Sequence, residues 1–600
     1  MKKSSIFFVL MALCVLFPRS QVKPDEFMKN LVQAGKTVPV PERMKTGFET
    51  IVAKDLKNFL TFLSSDLLEG RETGTRGFDI ACEYAVSFFT SWGVKPAGDL
   101  KRSSRFPDMM STSEIGERSA ADRGYSQELA IREVQESEAA VSLEVKREGW
   151  QKIRSFVPDV DFICQSSANE ALKAGIVFAG YGISEKEVSY DDYRKIDVKG
   201  KIVMILAEAP GKNNPNSPFR KRELKSKYFA PIFPQKGMGH GRFSKVSLAA
   251  KMGALAVLLV PDSAAENGDV YRNILDARTV NDERPIIPGR RRRLFLAHSA
   301  GKRPWESIPV ISVSRAMADE ILASADQEVN ALGKRIDASL KPFSFEIKDA
   351  MITIENRIKA TLTRSQNILG YIEGSDPHLK NEVLVIGAHM DHLGKRGDYI
   401  FNGADDNGSG AAGVMSLAQA VALNPQKPKR SILFALWTGE EDGLLGSRYY
   451  VGNSFFPLEK TVAYLNMDMI SRTFNEKALI RFFRMMGIEP KSDEIRKIDL
   501  NNFLFLGFST GTSGLADALK QADEYVGIDF YLRESRSASG PSGGSDHSSF
   551  ALNKIPWIFF NAGLHDDYHQ PSDSVEKVDS RLMEKICRLV YATAFLLADG

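Results

Sequence analysis

Cysteine is scarce in this chain, with four in 600 residues, at positions 14, 82, 164 and 587, and no CxxC spacing. A disulfide framework is not indicated, and no cysteine is a candidate zinc ligand or nucleophile. The three internal ones read as buried small apolar residues, although one bridge would be compatible with an oxidising compartment. A dominant charge is missing too. The 79 basic and 76 acidic residues leave a formal charge of +3, which gives no overall field to gather nucleic acid or anionic lipid. Long apolar runs are confined to the N-terminus, where Lys2 and Lys3 precede Ile6 to Phe17 and a polar stretch starts at Gln21. This run falls short of the ~20 residues a spanning helix needs. It reads as a signal peptide over residues 1–20, so the expectation is export without stable membrane insertion. Leu13 sits where lipoprotein processing at Cys14 would need a small side chain, which speaks against a lipid anchor. Internal repeats and low-complexity tracts are lacking as well.

What is present is enough chain for more than one core. From Ile51 to Trp92 apolar residues recur at helical spacing around the polar turn Glu69 to Gly74, which predicts two helices joined by a loop. Lys101 to Gly124 reads as a surface insertion. Short apolar strands follow at Ala174 to Ala179, Lys201 to Leu206, Ala254 to Val260 and Ile308 to Val313, with a helix over Lys245 to Met252. They predict a small strand-rich domain inserted over residues 160–344, between an opening segment (45–159) and a main domain (345–600). Within it, Gly289 to Arg293 reads as a solvated arginine loop. After Asp349 strands and helices alternate. Val383 to Ala388, Ser431 to Trp437, Val462 to Asn466 and Trp557 to Phe560 are continuous apolar runs, as in strands buried on both faces of an α/β sheet. Helices are expected at Ser409 to Leu423, Leu444 to Val451 and Gly514 to Tyr525.

Each of those four strands runs into potential metal ligands: His389-Met390-Asp391-His392, Thr438-Gly439-Glu440-Glu441, Met467-Asp468, and Asn561 to His569. Open α/β sheets bind ligands outside the carboxyl ends of their strands, so distant loops would converge on one site. A glycine-rich turn, Gly403 to Gly410, adds the acidic pair Asp405-Asp406, which repels itself unless a cation compensates. Asp405 is the candidate bridge between two ions. With His389, Glu441, Asp468 and His569 it gives two imidazoles and three carboxylates, and each ion keeps an open position, as catalytic zinc requires. Nitrogen and oxygen donors alone also admit manganese or cobalt. Asp391, two residues after His389, is placed to orient that imidazole. His392 points the other way and reads as a structural or packing residue, with lining the cleft as the alternative. His565 is an alternative to His569, and His547 either faces the cleft or bonds to Asp546.

These motifs, with Tyr568-His569 and Pro571-Ser572-Asp573, resemble the bacterial di-zinc aminopeptidases related to glutamate carboxypeptidase and transferrin receptor. The resemblance runs from about Ala350 to the C-terminus, and Leu68-Glu69-Gly70-Arg71 looks like the same domain's opening. Gly175 to Ser314 resembles the protease-associated domain that such enzymes carry as an insertion. It implies a mixed-sheet, three-layer α/β exopeptidase fold with two Zn2+ ions. His389 and Asp468 would hold one, Glu441 and His569 the other, and Asp405 would bridge. Glu440 would be the general base, and Tyr568 would assist the oxyanion. Peptides are the implied substrates. A carboxypeptidase, for which Arg533 or Arg536 could bind the terminal carboxylate, and a non-catalytic receptor-like protein are the rival readings.

Overall fold

The computed structural model describes residues 24–100, 123–158, 160–164, 169–211, 214, 216–220, 224, 240–261, 292–297, 308–485, 488, 490–509, 514–535 and 544–600. The expected signal peptide, most of the Lys101 to Gly124 insertion and Arg536 lie outside them. The two early helices form as expected, α1 (Ala53–Leu63) and α2 (Arg76–Ser91), the second capped by the Thr75 hydroxyl. Leu56, Leu60 and Leu63 of α1 and Phe78, Cys82, Ala85 and Phe89 of α2 face inward at the i, i+3, i+4 spacing that suggested them.

Two long strands, β1 (Ser126–Arg147) and β2 (Ser344–Ile372), run antiparallel to each other and join the two parts of the molecule into one mixed sheet. They were not foreseen, because their exposed halves alternate polar and apolar residues without an apolar run. The C-terminal end of β2 enters the main sheet beside β4 (Ser431–Trp437), and β3 (Val383–His389) lies parallel between β4 and β5 (Thr461–Met467). Beyond β5 come β8 (Trp557–Asn561), parallel to it, then β6 (Phe503–Ser509), antiparallel to β8, and β7 (Asp529–Ser535), parallel to β6. The four strands that precede the candidate ligands are thus consecutive and parallel, in the order β4-β3-β5-β8, and their carboxyl ends lie along one edge.

Alternate residues of these strands enter different cores. Leu384, Ile386, Ile432, Phe434, Ala463 and Leu465 pack under α1, α2, α3 (Gly410–Leu423) and α4 (Ser580–Asp599). Val383, Val385, Leu433, Ala435, Trp437 and Tyr464 pack on the opposite face with Tyr450 and Phe550, from the helices Leu445–Gly452 and His547–Leu552. This is the expected three-layer arrangement. Helix α3, made mostly of Ala and Gly, is buried on nearly every side.

The strand-rich part is built on parallel strands Ile202–Leu206, Ala256–Val260 and Val310–Val313, close to the expected bounds, with Glu170–Ala179 alongside. Its core also takes Val141, Leu143, Val145 and Phe156 before the insertion expected at 160–344, and Ile347, Ile352 and Ile354 after it. Arg292, read as part of a solvated loop, is instead half-buried in a bidentate pair with Glu133, and it donates to the Thr73 carbonyl (2.8 Å). Among the described residues Cys82, Cys164 and Cys587 form no disulfide, and all three are buried.

Candidate metal centre

Convergence at the strand ends is real and tight. His389, the last residue of β3, is buried with its Nε2 3.5 Å from Asp406 Oδ1 and 3.6 Å from Asp468 Oδ1, just beyond β5. Its Nδ1 lies 3.1 Å from the Asp391 carbonyl, and donating there it leaves Nε2 as the ring nitrogen turned toward the carboxylates. On the other side, His569 Nε2 stands 2.9 Å from Asp406 Oδ2 and 3.0 Å from Glu441 Oε1. Asp406 therefore turns one oxygen toward each imidazole. That is the geometry of a bridging carboxylate.

Asp405 is not brought to this cluster, and the bridge expected there belongs to its neighbour. The Asp405 carboxylate points away, accepting from the amide (2.8 Å) and hydroxyl (2.7 Å) of Ser471 and lying 3.1 Å from His565 Nε2. Consecutive side chains of a tight turn leave on different sides, and nothing in the acidic pair itself says which one faces the ions. His565 is thereby occupied with Asp405 and is not the partner of Glu441. The turn is held by Asp573, whose Oδ2 accepts from the amides of Asp405 (3.0 Å) and Asp406 (3.1 Å). Burial first, and then the charge of Asp405, push the Asp573 carboxyl up to about 7. Asn407 ties the same turn to the Asp468 loop, donating to the Met467 carbonyl and accepting from the amide of Met469.

Asp391 acts elsewhere than expected. Its carboxylate is 3.8 Å from His389 Nδ1, and its oxygens accept instead from the amides of Glu440 (3.1 Å) and Glu441 (3.3 Å). It fixes the turn after β4 that presents both glutamates. Gly439, at φ 66°, is required in that turn, since a Cβ there would meet Leu445 at 2.8 Å. Glu440 is buried with Oε2 4.0 Å from His389 Nε2. Tyr568 stacks on the His569 ring at 4.0 Å between centroids, and desolvation, then Asp406, Glu441, Glu440 and Asp468, hold its phenol well above the usual range. His547 is buried against Trp557 and Phe559.

His392, read from sequence as packing, belongs to the cluster: its Nδ1 is 3.1 Å from Glu441 Oε1 and 3.9 Å from Asp406 Oδ2. The backbone leaves strand geometry after His389, so the side-to-side alternation that set His392 aside no longer applies.

The donors fit a pair of metal ions. Two atoms each ~2.0–2.1 Å from one zinc at tetrahedral angles stand roughly 3.3 Å apart, and the separations here run from 2.9 to 3.6 Å. Asp406 Oδ2 and His569 Nε2 are buried and close, yet neither makes a hydrogen bond. Atoms packed side by side without donor geometry are what common coordination produces. Two groups of buried side chains, His389–Asp406–Asp468 and His392–Asp406–Glu441, each bring one donor atom per residue within 4.8 Å of the others, and both include Asp406. Burial would push His389 and His569 toward the neutral form. Nearby carboxylates outweigh it: Glu440 and Asp468 raise His389 well above its ordinary value, and Glu441 and Asp406 raise His569 to about 9.

Comparison with known proteins agrees with this reading. Residues 367–594 match the model of Peptidase family M28. It is 39% identical over 105 residues to leupeptin-inactivating enzyme 1 of Streptomyces exfoliatus, covering 17% of this chain and 22% of that protein. It is 31% identical over 195 residues to an aminopeptidase of Pseudomonas aeruginosa (strain UCBPP-PA14), covering 28% of this chain and 34% of that one. The matches thus span about a fifth to a third of these curated relatives. Among solved structures, an aminopeptidase from Aneurinibacillus sp. strain AM-1 superposes with a TM-score of 0.47 at 18% identity, over 92% of this chain and 95% of that one.

Proposed function

We propose that this protein is an exported two-metal peptidase that removes residues from the free N-terminus of peptides. The observation that carries the proposal is Asp406, with one carboxylate oxygen directed at each of two buried imidazoles. His389 and Asp468 would hold one ion, Glu441 and His569 the other, with zinc the ion favoured by this mixture of donors. When bound, such a pair supplies Lewis-acid polarisation of the scissile carbonyl and a water acidified toward pKa ~7. Glu440, buried and held by its amide on Asp391, takes the proton from the attacking water and returns it to the departing amine. Tyr568, stacked on the ring of His569, would assist the oxyanion. The name of the Pseudomonas aeruginosa relative, an aminopeptidase, supports amino-terminal cleavage, and Lys2-Lys3 ahead of Ile6 to Phe17 supports export.

Two adjacent substitutions test the chemistry. Glu441→Gln should lower metal content at one site. Glu440→Gln should keep both ions and lose roughly 10²–10⁴-fold in kcat, the contribution of a positioned proton-transfer group. Normal turnover in Glu440→Gln would reject the mechanism, and cleavage of only N-blocked peptides from their C-terminal end would reject the aminopeptidase assignment.

A further inference from the structure

The motif Leu68-Glu69-Gly70-Arg71 lies more than 300 residues before the first candidate ligand, yet Arg71 is fully buried beneath the metal centre. Its guanidinium is spent on backbone carbonyls. Nε donates to Met390 (2.9 Å), between His389 and Asp391, one terminal nitrogen donates to Asn402 (2.7 Å) and to Leu63, and the other donates to Gly403 (3.0 Å). The Arg71 carbonyl in turn accepts from the His392 amide (3.1 Å). One residue thereby joins the end of β3, which carries His389, to the start of the turn that carries Asp406. Its backbone is seated to match: Arg71 has φ 48°, and Gly70 passes so close that a Cβ would come within 2.5 Å of the Gly394 and Phe401 carbonyls.

We infer that Arg71 is a positioning residue for the metal centre, setting the spacing between the terminal ligand His389 and the bridging carboxylate of Asp406 through their backbones. This rests on the two-metal reading above. The planar fork donates to four carbonyls in three separate segments, and a lysine ammonium, with three donors and no fixed fork, does not reproduce that geometry. The charge also matters, since Asp391, Asp573 and Asp406 surround the guanidinium. Burial lowers Arg71 to about 10, which leaves it cationic at neutral pH among those acids. With its guanidinium spent on backbone carbonyls, Arg71 acts on the centre through the loops that carry the ligands.

The test compares full-length wild-type, Arg71→Lys and Arg71→Gln proteins, each stripped by chelation and titrated with zinc against a competing chelator, with folding followed by circular dichroism and thermal melting. Partners of this kind typically change metal affinity 10–100-fold. Arg71→Lys should fold and bind zinc about that much more weakly, with kcat reduced and KM for a short peptide nearly unchanged. Arg71→Gln, which loses charge as well, should be weaker still. A folded Arg71→Lys protein with wild-type zinc affinity and kcat would overturn the inference. So would failure of both variants to fold even at saturating zinc, which would make Arg71 a core residue of the fold. Absence of zinc uptake by the wild-type protein would overturn the two-metal reading itself, and that result is read before any variant is made.

Discussion

Two parts of this molecule use the same device, parallel strands buried on both faces, and only one of them ends in chemistry. In the strand-rich part the strand Ile202–Leu206 runs out into carbonyls at Leu206, Ala207 and Glu208, and the buried ammonium of Lys245 donates to all three. In the main sheet the buried cation Arg71 likewise satisfies carbonyls, but around it stand Asp391, Asp406 and Asp573, with the imidazoles of His389 and His569 beyond. Parallel topology collects loops along one edge in both. What those loops carry decides whether the edge is a site. One cation closes off a few carbonyls, whereas a surplus of buried carboxylates calls for metal ions.

The comparison breaks most sharply at Asp406. Asp406→Asn removes the carboxylate shared by both centres, and metal content should fall below two ions with activity down by roughly three orders of magnitude, the several kcal/mol that metal catalysis supplies. Asp405→Asn, which disturbs only the bonds to Ser471 and His565, should retain both ions. Elemental analysis and kinetics on the pair read this directly, and the reverse pattern would restore Asp405 as the bridge.

Acidity sharpens the contrast. In the metal-free protein His569 stays protonated up to about 9, because Glu441 and Asp406 outweigh its burial. A metal needs the neutral imidazole, so the ion held by His569 must displace that proton, and its affinity should fall as pH drops below about 9, by about tenfold per unit. Zinc competition titrations at pH 8 and pH 6 should therefore differ by about 100-fold. Affinity unchanged over that range would mean that His569 is already neutral.

A smaller effect is expected at Asp391. Asp391→Asn leaves one acceptor for the two glutamate amides, and a loss of about 10–100-fold in activity is expected with the fold intact. Wild-type rates in that variant would deny Asp391 its role in setting the glutamate turn. The smallest effect on the centre comes from the strand-rich part. Lys245→Met removes the donor to one buried carbonyl, that of Leu206, and to the part-buried carbonyls of Ala207 and Glu208, where a buried group left unsatisfied costs about 1–3 kcal/mol. The melting temperature should drop while the folded fraction still binds two ions. Loss of metal from folded Lys245→Met would join the two regions energetically.

Most of the fold was legible in the residues. The runs Val383 to Ala388 and Ser431 to Trp437 became β3 and β4 almost residue for residue, because a strand buried on both faces leaves an uninterrupted apolar record. The long strands β1 and β2 escaped, since half-exposed strands keep polar residues and their pairing is a long-range event. At the site, His389, Glu441, Asp468 and His569 converge as the strand ends implied, whereas the Asp405 side chain points away.

The sequence by itself determined which residue types stand at the ends of which strands, and with them the donor chemistry and the class of reaction it suits. Tertiary structure alone decided that Asp406 faces the imidazoles and Asp405 does not, that Asp391 holds the glutamate turn, that His392 rejoins the cluster, and that Arg71 spans the two ligand loops. Periodicity reports which way a side chain points only within regular strands and helices. These residues lie in turns, where direction is set by contacts with segments as far away as Arg71 is from Gly403, and no local pattern records them.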